Sequence, residues 1–185
     1  MIKAVSFYTN DSYKKHAARL EESLKGENIP FEIAPLPDQK TWEENVRQKP
    51  SFVHRMLTDS DSDILWLDAD SVLRGSPTIF IDGKDFDFAA YRPTPYVFWG
   101  GTLFFRNNPK ARHVAARWVQ LTSDHPRESE DRTLSMAVYE ARDLVVRTLP
   151  VEYCWVEKWA KDVWPLKVPV IEQFAVGHPL GVQRW

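Results

Sequence analysis

The stretch Ile64-Leu65-Trp66-Leu67-Asp68-Ala69-Asp70 decides the fold of this chain. Four consecutive apolar residues predict a strand that is buried on both faces, as in the parallel sheets of α/β proteins. The two carboxylates follow at positions i and i+2, and because a strand has a period of two, both can lean to one side at its end. Ligands of open α/β sheets bind in the crevice at the carboxyl ends of the strands, so we expect a binding site here.

The residues before this strand predict a β-α-β unit, which builds parallel sheets. Residues 2–8 and 31–34 are apolar runs typical of strands, and between them apolar residues recur at helical spacing from Tyr13 to Leu24. We expect Asp11 or Ser12 to cap this helix. A second helix is predicted from the capping-box pattern at residues 41–44. We expect Lys49-Pro50 to break this helix and a helix to resume at Ser51, before the strand that begins at Ile64.

Several strands then follow one another with few helices between them, which predicts a mixed, mostly parallel sheet. Strands are expected over residues 86–91, 96–105, 143–149 and 168–174, and helices after Asn108-Pro109 and after Ser129. The interpretation is a single α/β, Rossmann-like domain over residues 1–185. We divide it after the strand and its two aspartates into residues 1–70 and residues 71–185.

Composition excludes several classes of protein. The chain has 185 residues, a formal net charge of −2 and a single cysteine, Cys154. The charge balance gives no electrostatic case for binding nucleic acid, and one cysteine cannot form an internal disulfide or a thiolate zinc cluster. The chain contains no run of about 20 apolar residues, so no membrane span is predicted. Because residues 2–8 are typical of a strand and not of a signal peptide, the expected location is the cytoplasm.

Asp68 and Asp70 have three interpretations. Two neighbouring carboxylates repel each other, and a bound Mg²⁺ or Mn²⁺ removes that cost while keeping positions open for substrate phosphates. Alternatively, both aspartates only form the turn after the strand. Asp68-Ala69-Asp70-Ser71-Val72 also fits the motif of the haloacid dehalogenase phosphatases, with Asp68 as nucleophile and Asp70 as acid/base, but in that family the strand usually opens the fold.

The sequence resembles the nucleotide-sugar glycosyltransferases of the GT-A fold, especially the glycogenin-like group. The resemblance is spread over most of the chain, in the segments 7–13, 49–52, 64–70, 97–107, 130–134 and 174–179. The segment 64–70 matches the metal-binding D-x-D motif of the family. The segment 97–107, interpreted as a strand with two glycines inside it, matches the family strand that lines the sugar pocket.

The resemblance implies that residues 1–70 form a nucleotide-binding half and residues 71–185 a sugar and acceptor half, and it implies roles for particular residues. Thr9, Asn10 and Tyr13 would hold the nucleotide base and ribose, and Lys49 would reach the nucleotide or its phosphates. Gly100 and Gly101 would line the sugar pocket. Asp68 and Asp70, completed by a late histidine, His178, would bind Mn²⁺ or Mg²⁺. Asp131 would face the transferred sugar, but Arg132 stands where the family has glutamine, which leaves stereochemistry and sugar type open.

The implied function is metal-dependent transfer of a sugar from a nucleotide diphosphate sugar, with a UDP-sugar favoured, to an unknown acceptor. If the reaction inverts configuration, Asp131 is the expected catalytic base; if it retains configuration, Asp131 orients the sugar. Two alternatives remain: a non-catalytic module that binds a nucleotide sugar or glycan, and the phosphatase described above.

Overall fold

The computed structural model describes residues 1–82 and 85–175. The described elements run in the order β1 (Ile2–Tyr8), α1 (Asp11–Gly26), β2 (Phe31–Pro35), α2 (Trp42–Val46), α3 (Lys49–Thr58), β3 (Asp63–Leu67), β4 (Ser71–Leu73), β5 (Phe88–Tyr91), β6 (Thr102–Phe105), α4 (Pro109–Asp124), α5 (Glu130–Glu140), β7 (Val146–Leu149), α6 (Glu157–Val163) and β8 (Ile171–Gln173). Short 3₁₀ helices cover Thr78–Phe80 and Val151–Tyr153.

Six strands form one mixed sheet in the order β2-β1-β3-β6-β5-β7. The pairs β1/β2, β1/β3 and β5/β7 are parallel, and β6 runs antiparallel to both of its neighbours. A separate two-stranded sheet joins β4 to β8. The α/β fold with a mixed, mostly parallel sheet flanked by helices is confirmed.

Strand β3 lies in the middle of the sheet because its side chains are apolar on both faces. Ile64 and Trp66 belong to the core on the side of α3, α4 and α5, whereas Leu65 and Leu67 belong to the core on the side of α1. This alternation follows from the two-residue period of a strand. All four side chains are at most 2% exposed. The residues that follow β3 therefore lie near the middle of the sheet, at the carboxyl end of this strand.

Three local predictions need correction. Asn10, and not Asp11 or Ser12, caps α1, because its side chain accepts a hydrogen bond from the backbone N–H of Tyr13. Helix α3 begins at Lys49, since Pro50 is accommodated in the first turn, where a helix needs no N–H donor. The predicted strand over 96–105 is shorter, and β6 begins only after Gly101.

Among the described residues, no helix is long and apolar enough to cross a membrane. Cys154 is buried, as expected for a small apolar residue of the core.

Candidate active site

The carboxyl end of β3 turns sharply at the two aspartates. The backbone N–H of Asp68 donates to Gly101 O (3.0 Å), and the N–H of Ser71 donates back to Asp68 O (2.9 Å). Asp70 O accepts from the N–H of Phe174 (3.1 Å), next to β8. The turn is therefore fixed by backbone hydrogen bonds on both sides. The Asp70 residue is 7% exposed, whereas the Asp68 side chain is about one-third exposed.

Lys49 lies beneath this turn with its side chain only 3% exposed. Its Nζ is 2.9 Å from Asp68 Oδ1 and 2.5 Å from Glu130 Oε1, and it donates to Gly100 O at 3.1 Å. Burial opposes the charge on Lys49, but Asp68, Glu130 and Asp131 outweigh burial and raise the pKa of the ammonium. Lys49 is thus a permanent cation that connects β3, α5 and the glycine turn.

The Asp68 carboxylate is held from a second direction as well. Its Oδ1 accepts a hydrogen bond from the indole N–H of Trp66 (3.0 Å), two residues earlier on β3. The Lys49 ammonium lies 5.4 Å from the centre of the Trp66 ring, within the range of a cation–π contact. Oδ1 is therefore occupied by two protein donors, while about one-third of the Asp68 side chain stays exposed.

Helix α5 brings two further carboxylates to the same place. Ser129 caps this helix, as predicted, and Glu130 and Asp131 occupy its first turn. Burial, with help from the charges of Asp131 and Asp68, raises the pKa of Glu130 to about 8 despite the Lys49 ammonium. Burial also raises the pKa of Asp131. Around one ammonium there are three carboxylates, so the site has an excess of negative charge that a proton or a cation can neutralise.

Gly100 makes this close arrangement possible. Its N–H donates to Asp131 Oδ1 (2.7 Å), and a Cβ at this position would meet Glu130 Oε2 at 2.7 Å and Asp131 Oδ1 at 2.9 Å. At Gly101 a Cβ would touch the Gln173 side chain at 3.0 Å. The two glycines therefore lie in a turn against polar side chains, and not inside a strand, because the carboxylates and the backbone must approach each other here.

Glu130 also carries an unsatisfied atom. Its Oε2 is buried and has no hydrogen-bond partner among the described residues, whereas its backbone carbonyl accepts from the indole N–H of Trp118 (3.0 Å). A buried acceptor without a partner costs free energy if the group is ionised. This cost disfavours the ionised form of Glu130 and so agrees with its raised pKa.

Tyr13 lines the crevice from the side of α1. The pKa of Tyr13 is raised to about 12, mainly by burial and then by the negative charges of Asp70 and Asp68. The Trp42 side chain forms a hydrogen bond with the Tyr13 hydroxyl. The Tyr13 hydroxyl therefore stays neutral and can donate or accept a hydrogen bond close to the two aspartates. Thr9 and Asn10 follow β1 at the same sheet edge, although the side-chain oxygen of Asn10 is used as the cap of α1.

The structure brings together most of the residues predicted for the site. Seven of them lie close together around the carboxyl end of β3: Tyr13, Lys49, Asp68, Asp70, Gly100, Gly101 and Asp131. His178 lies outside the described residues. Within residues 1–82 and 85–175 there is no group of three His, Cys, Asp or Glu side chains arranged to hold a metal ion. The described part of the chain thus supplies a pair of carboxylates, and His178 as third ligand stays a prediction.

Sequence reasoning missed the roles of two residues. From the sequence alone, an acidic residue at the start of a helix is expected only to favour the helix N-terminus, yet Glu130 is an ion-pair partner of Lys49. Gln173 connects the small sheet to β6, since its side chain accepts from Ser71 Oγ (3.1 Å) and donates to Thr102 Oγ1 (2.9 Å). The position of Glu130 directly before Asp131 was the one available signal; the Gln173 contacts span 71 to 102 residues and had none.

The comparisons with known proteins place the fold. No protein-family model matches the chain, and no curated protein matches it either. Among solved structures, a glycosyltransferase involved in glycosylation of the major capsid of PBCV-1 superposes with a TM-score of 0.73 at 13% identity, over 95% of this chain and 93% of that one. The galactosyltransferase LgtC, solved with donor and acceptor sugar analogues, gives 0.58 at 15% identity, over 92% and 86% of the two chains.

A third similar structure is the apo form of the glycosyltransferase GlyE of Streptococcus pneumoniae TIGR4. It gives a TM-score of 0.64 at 15% identity over 92% of this chain, which spans about half (54%) of the GlyE chain. These three solved structures are glycosyltransferases. The chain has the GT-A-like fold of these glycosyltransferases.

Proposed function

We propose that this chain is a metal-dependent glycosyltransferase that transfers a sugar from a nucleotide diphosphate sugar, with a UDP-sugar favoured, to an acceptor. The observation that carries the proposal is that Tyr13, Lys49 and Asp131 lie around Asp68 and Asp70 at the end of β3. The carboxyl ends of the strands are where α/β sheets bind their ligands. The GT-A-like fold supports the same assignment.

Asp68 and Asp70 are the residues that would hold Mn²⁺ or Mg²⁺. Carboxylate oxygens suit both ions, and Mg²⁺ sites often use only one or two carboxylates together with substrate phosphates. The site fits a cation for a further reason: Asp68 and Asp131 outnumber the single ammonium of Lys49 even when Glu130 carries a proton. When bound, the metal would act as a Lewis acid on the nucleotide diphosphate leaving group.

Lys49 acquires a role different from the predicted one. Its Nζ is engaged by Asp68, Glu130 and the Gly100 carbonyl, and its side chain is almost fully buried. In our proposal Lys49 fixes the direction of the Asp68 carboxylate, so that the free oxygen of Asp68 faces the crevice before substrate arrives. Direct contact between Lys49 and the phosphates stays an untested prediction.

Tyr13 is proposed to bind the base end of the donor together with Thr9 and Asn10. The Tyr13 hydroxyl keeps its proton at physiological pH, because its pKa is raised to about 12. It therefore offers a neutral polar group and a ring face for stacking, and it adds no further negative charge near the phosphates.

Asp131, Gly100 and Gly101 are proposed to form the sugar pocket. The Gly100 N–H donates to Asp131 Oδ1 and so helps to fix the carboxylate that we propose contacts the sugar or the acceptor. In an inverting reaction, Asp131 takes the proton of the acceptor hydroxyl while the bond from the sugar to the diphosphate breaks and the new glycosidic bond forms. Its raised pKa suits this role, since a stronger base accepts a proton more readily. In a retaining reaction, Asp131 orients the sugar.

The test is release of nucleotide diphosphate from a panel of nucleotide sugars in the presence of Mn²⁺, without and with candidate acceptors. We expect at least one donor to be turned over, and Asp70→Asn to lower the rate at least a hundredfold. Asp61→Asn, at an exposed position, is the matched control and should retain the wild-type rate. Absence of turnover with every donor, or an equal rate in Asp70→Asn, would contradict the proposal.

A further inference from the structure

A cleft of about 380 Å³ opens on the outer face of α5, opposite the turn that precedes the glycine pair. Six residues line it: Tyr96, Arg132, Ser135, Met136, Tyr139 and Glu140. The volume is at the lower end of the range for small-molecule sites, and the mixture of aromatic, apolar and polar side chains is typical of such sites. None of the residues predicted from the sequence to bind donor or metal belongs to this cleft.

The two tyrosines present their rings to solvent. Tyr96 is 71% exposed and Tyr139 is 49% exposed, which is unusual for large aromatic side chains. Tyr139 is also held in place: its hydroxyl donates to Pro95 O (2.5 Å), and its ring lies 5.7 Å from that of Phe98. A ring that is already fixed loses little conformational entropy when a ligand stacks on it.

The cleft lies next to the candidate active site. The Ser135 hydroxyl, on the cleft wall, donates to the backbone carbonyl of Asp131 (2.7 Å) and accepts from the N–H of Phe98 (2.9 Å). Ser135 and Asp131 are one helical turn apart, about 6 Å along the axis of α5. Arg132, which also lines the cleft, directly follows Asp131 in α5.

We propose that this cleft binds a sugar unit of the glycan acceptor, with its ring against Tyr96 and Tyr139. The proposal rests on the glycosyltransferase function proposed above and names the class of its second substrate. Sugars have apolar C–H faces that pack on aromatic rings and hydroxyl groups that need polar partners. The cleft provides those partners with both signs of charge, from Arg132 and Glu140, which favours a neutral sugar over an anion.

Glu140 and Arg132 are placed differently for this purpose. Glu140 is paired with Arg117 (2.6 Å), so its carboxylate is fixed as an acceptor for hydroxyl groups. Arg132 has no salt bridge with any carboxylate in the described part of the chain and is exposed, so its five N–H donors remain for the ligand.

The test is saturation-transfer NMR with methyl glycosides of glucose, galactose, mannose and N-acetylglucosamine as probes. We expect at least one of them to bind the wild-type protein and to bind Tyr96→Ala roughly three- to tenfold more weakly, the range for loss of one aromatic contact. Leu166→Ala, which shortens an apolar side chain that is 96% exposed and outside the cleft, should bind like the wild type.

The same variants are assayed for Mn²⁺-dependent donor turnover without acceptor. Normal donor turnover in Tyr96→Ala together with weaker saccharide binding supports the cleft as the acceptor site. Normal donor turnover with no saccharide binding, or with binding that Tyr96→Ala leaves unchanged, overturns the cleft proposal alone and points to a protein or another occupant. Loss of donor turnover already in the wild type overturns the proposed function itself.

Discussion

Replacement of Lys49 by methionine tests the charge arrangement of the site. Methionine has a similar length and adds no clash, so the change removes the ammonium from between Asp68 (2.9 Å) and Glu130 (2.5 Å) without a large cavity. The Glu130 side chain is only 11% exposed, so its carboxylate cannot regain water in place of the lost partner. Removal of one partner from a buried ion pair typically costs about 3–5 kcal/mol of the free energy of unfolding.

The pH determines how much of that cost is observed. With Lys49 in place, the pKa of Glu130 is about 8, so near pH 6 the carboxyl group already carries a proton. At pH 9 it is ionised in the wild type, and the loss of Lys49 is fully felt. We therefore expect Lys49→Met to lower the free energy of unfolding by roughly 3–5 kcal/mol at pH 9 and by less at pH 6.

The assay is urea unfolding followed by tryptophan fluorescence, at both pH values. Lys25→Met is the matched control, because Lys25 also pairs with a glutamate (Glu21, 2.6 Å), but both side chains are well exposed; we expect it to cost less than about 0.5 kcal/mol. The double variant Lys49→Met/Glu130→Gln should recover stability at pH 9, since it removes the uncompensated charge. Equal effects of Lys49→Met and Lys25→Met at pH 9 would refute the reasoning.

Three further predictions concern the same cluster. In the wild type, stability should fall as the pH rises from about 4.5 to about 8, because the folded state retains on Glu130 a proton that the unfolded chain loses; Glu130→Gln should flatten this slope in urea unfolding, and an unchanged slope would contradict the assigned pKa. Gly100→Ala should cost about 1–3 kcal/mol in thermal unfolding, because its Cβ would lie 2.7 Å from Glu130 Oε2, whereas Gly75→Ala, whose Cβ meets no described atom within 4 Å, should be close to neutral; equal melting temperatures would argue against the close approach. Asp131→Asn keeps an acceptor for the Gly100 N–H; if the reaction inverts configuration, the variant lacks the base, so sugar transfer should fall by about 10²–10⁴-fold with donor binding retained, and unchanged transfer kinetics would exclude Asp131 as the base.

The sequence was most informative where structure depends on local patterns. The apolar run Ile64–Leu67 predicted a strand buried on both faces, and β3 has that position in the sheet. Asn108 and Pro109 were correctly identified as the start of α4, because capping chemistry is set by neighbouring residues. Asp68 and Asp70 come directly after Leu67, the last residue of β3, so their position at the carboxyl end of this strand could be predicted.

The sequence was least informative about contacts between distant segments. Lys49 and Glu130 are 81 residues apart, and no pattern in a single sequence links them. The resemblance therefore implied contact between Lys49 and the nucleotide or its phosphates, and the ion pair of Lys49 with Glu130 could not be predicted. The glycine pair was interpreted as part of a strand for the same reason, since the carboxylates that require Gly100 come from α5.

The measurement that tests the central claim most directly is a titration of the wild-type protein and Asp70→Asn with Mn²⁺, followed by electron paramagnetic resonance of the free ion, with and without UDP. We predict one Mn²⁺ bound per wild-type chain, more tightly when UDP is present, and at least a tenfold weaker affinity in Asp70→Asn. Wild-type protein that leaves Mn²⁺ free at every concentration, or an Asp70→Asn variant that binds it equally well, would contradict a metal-dependent transferase centred on the end of β3.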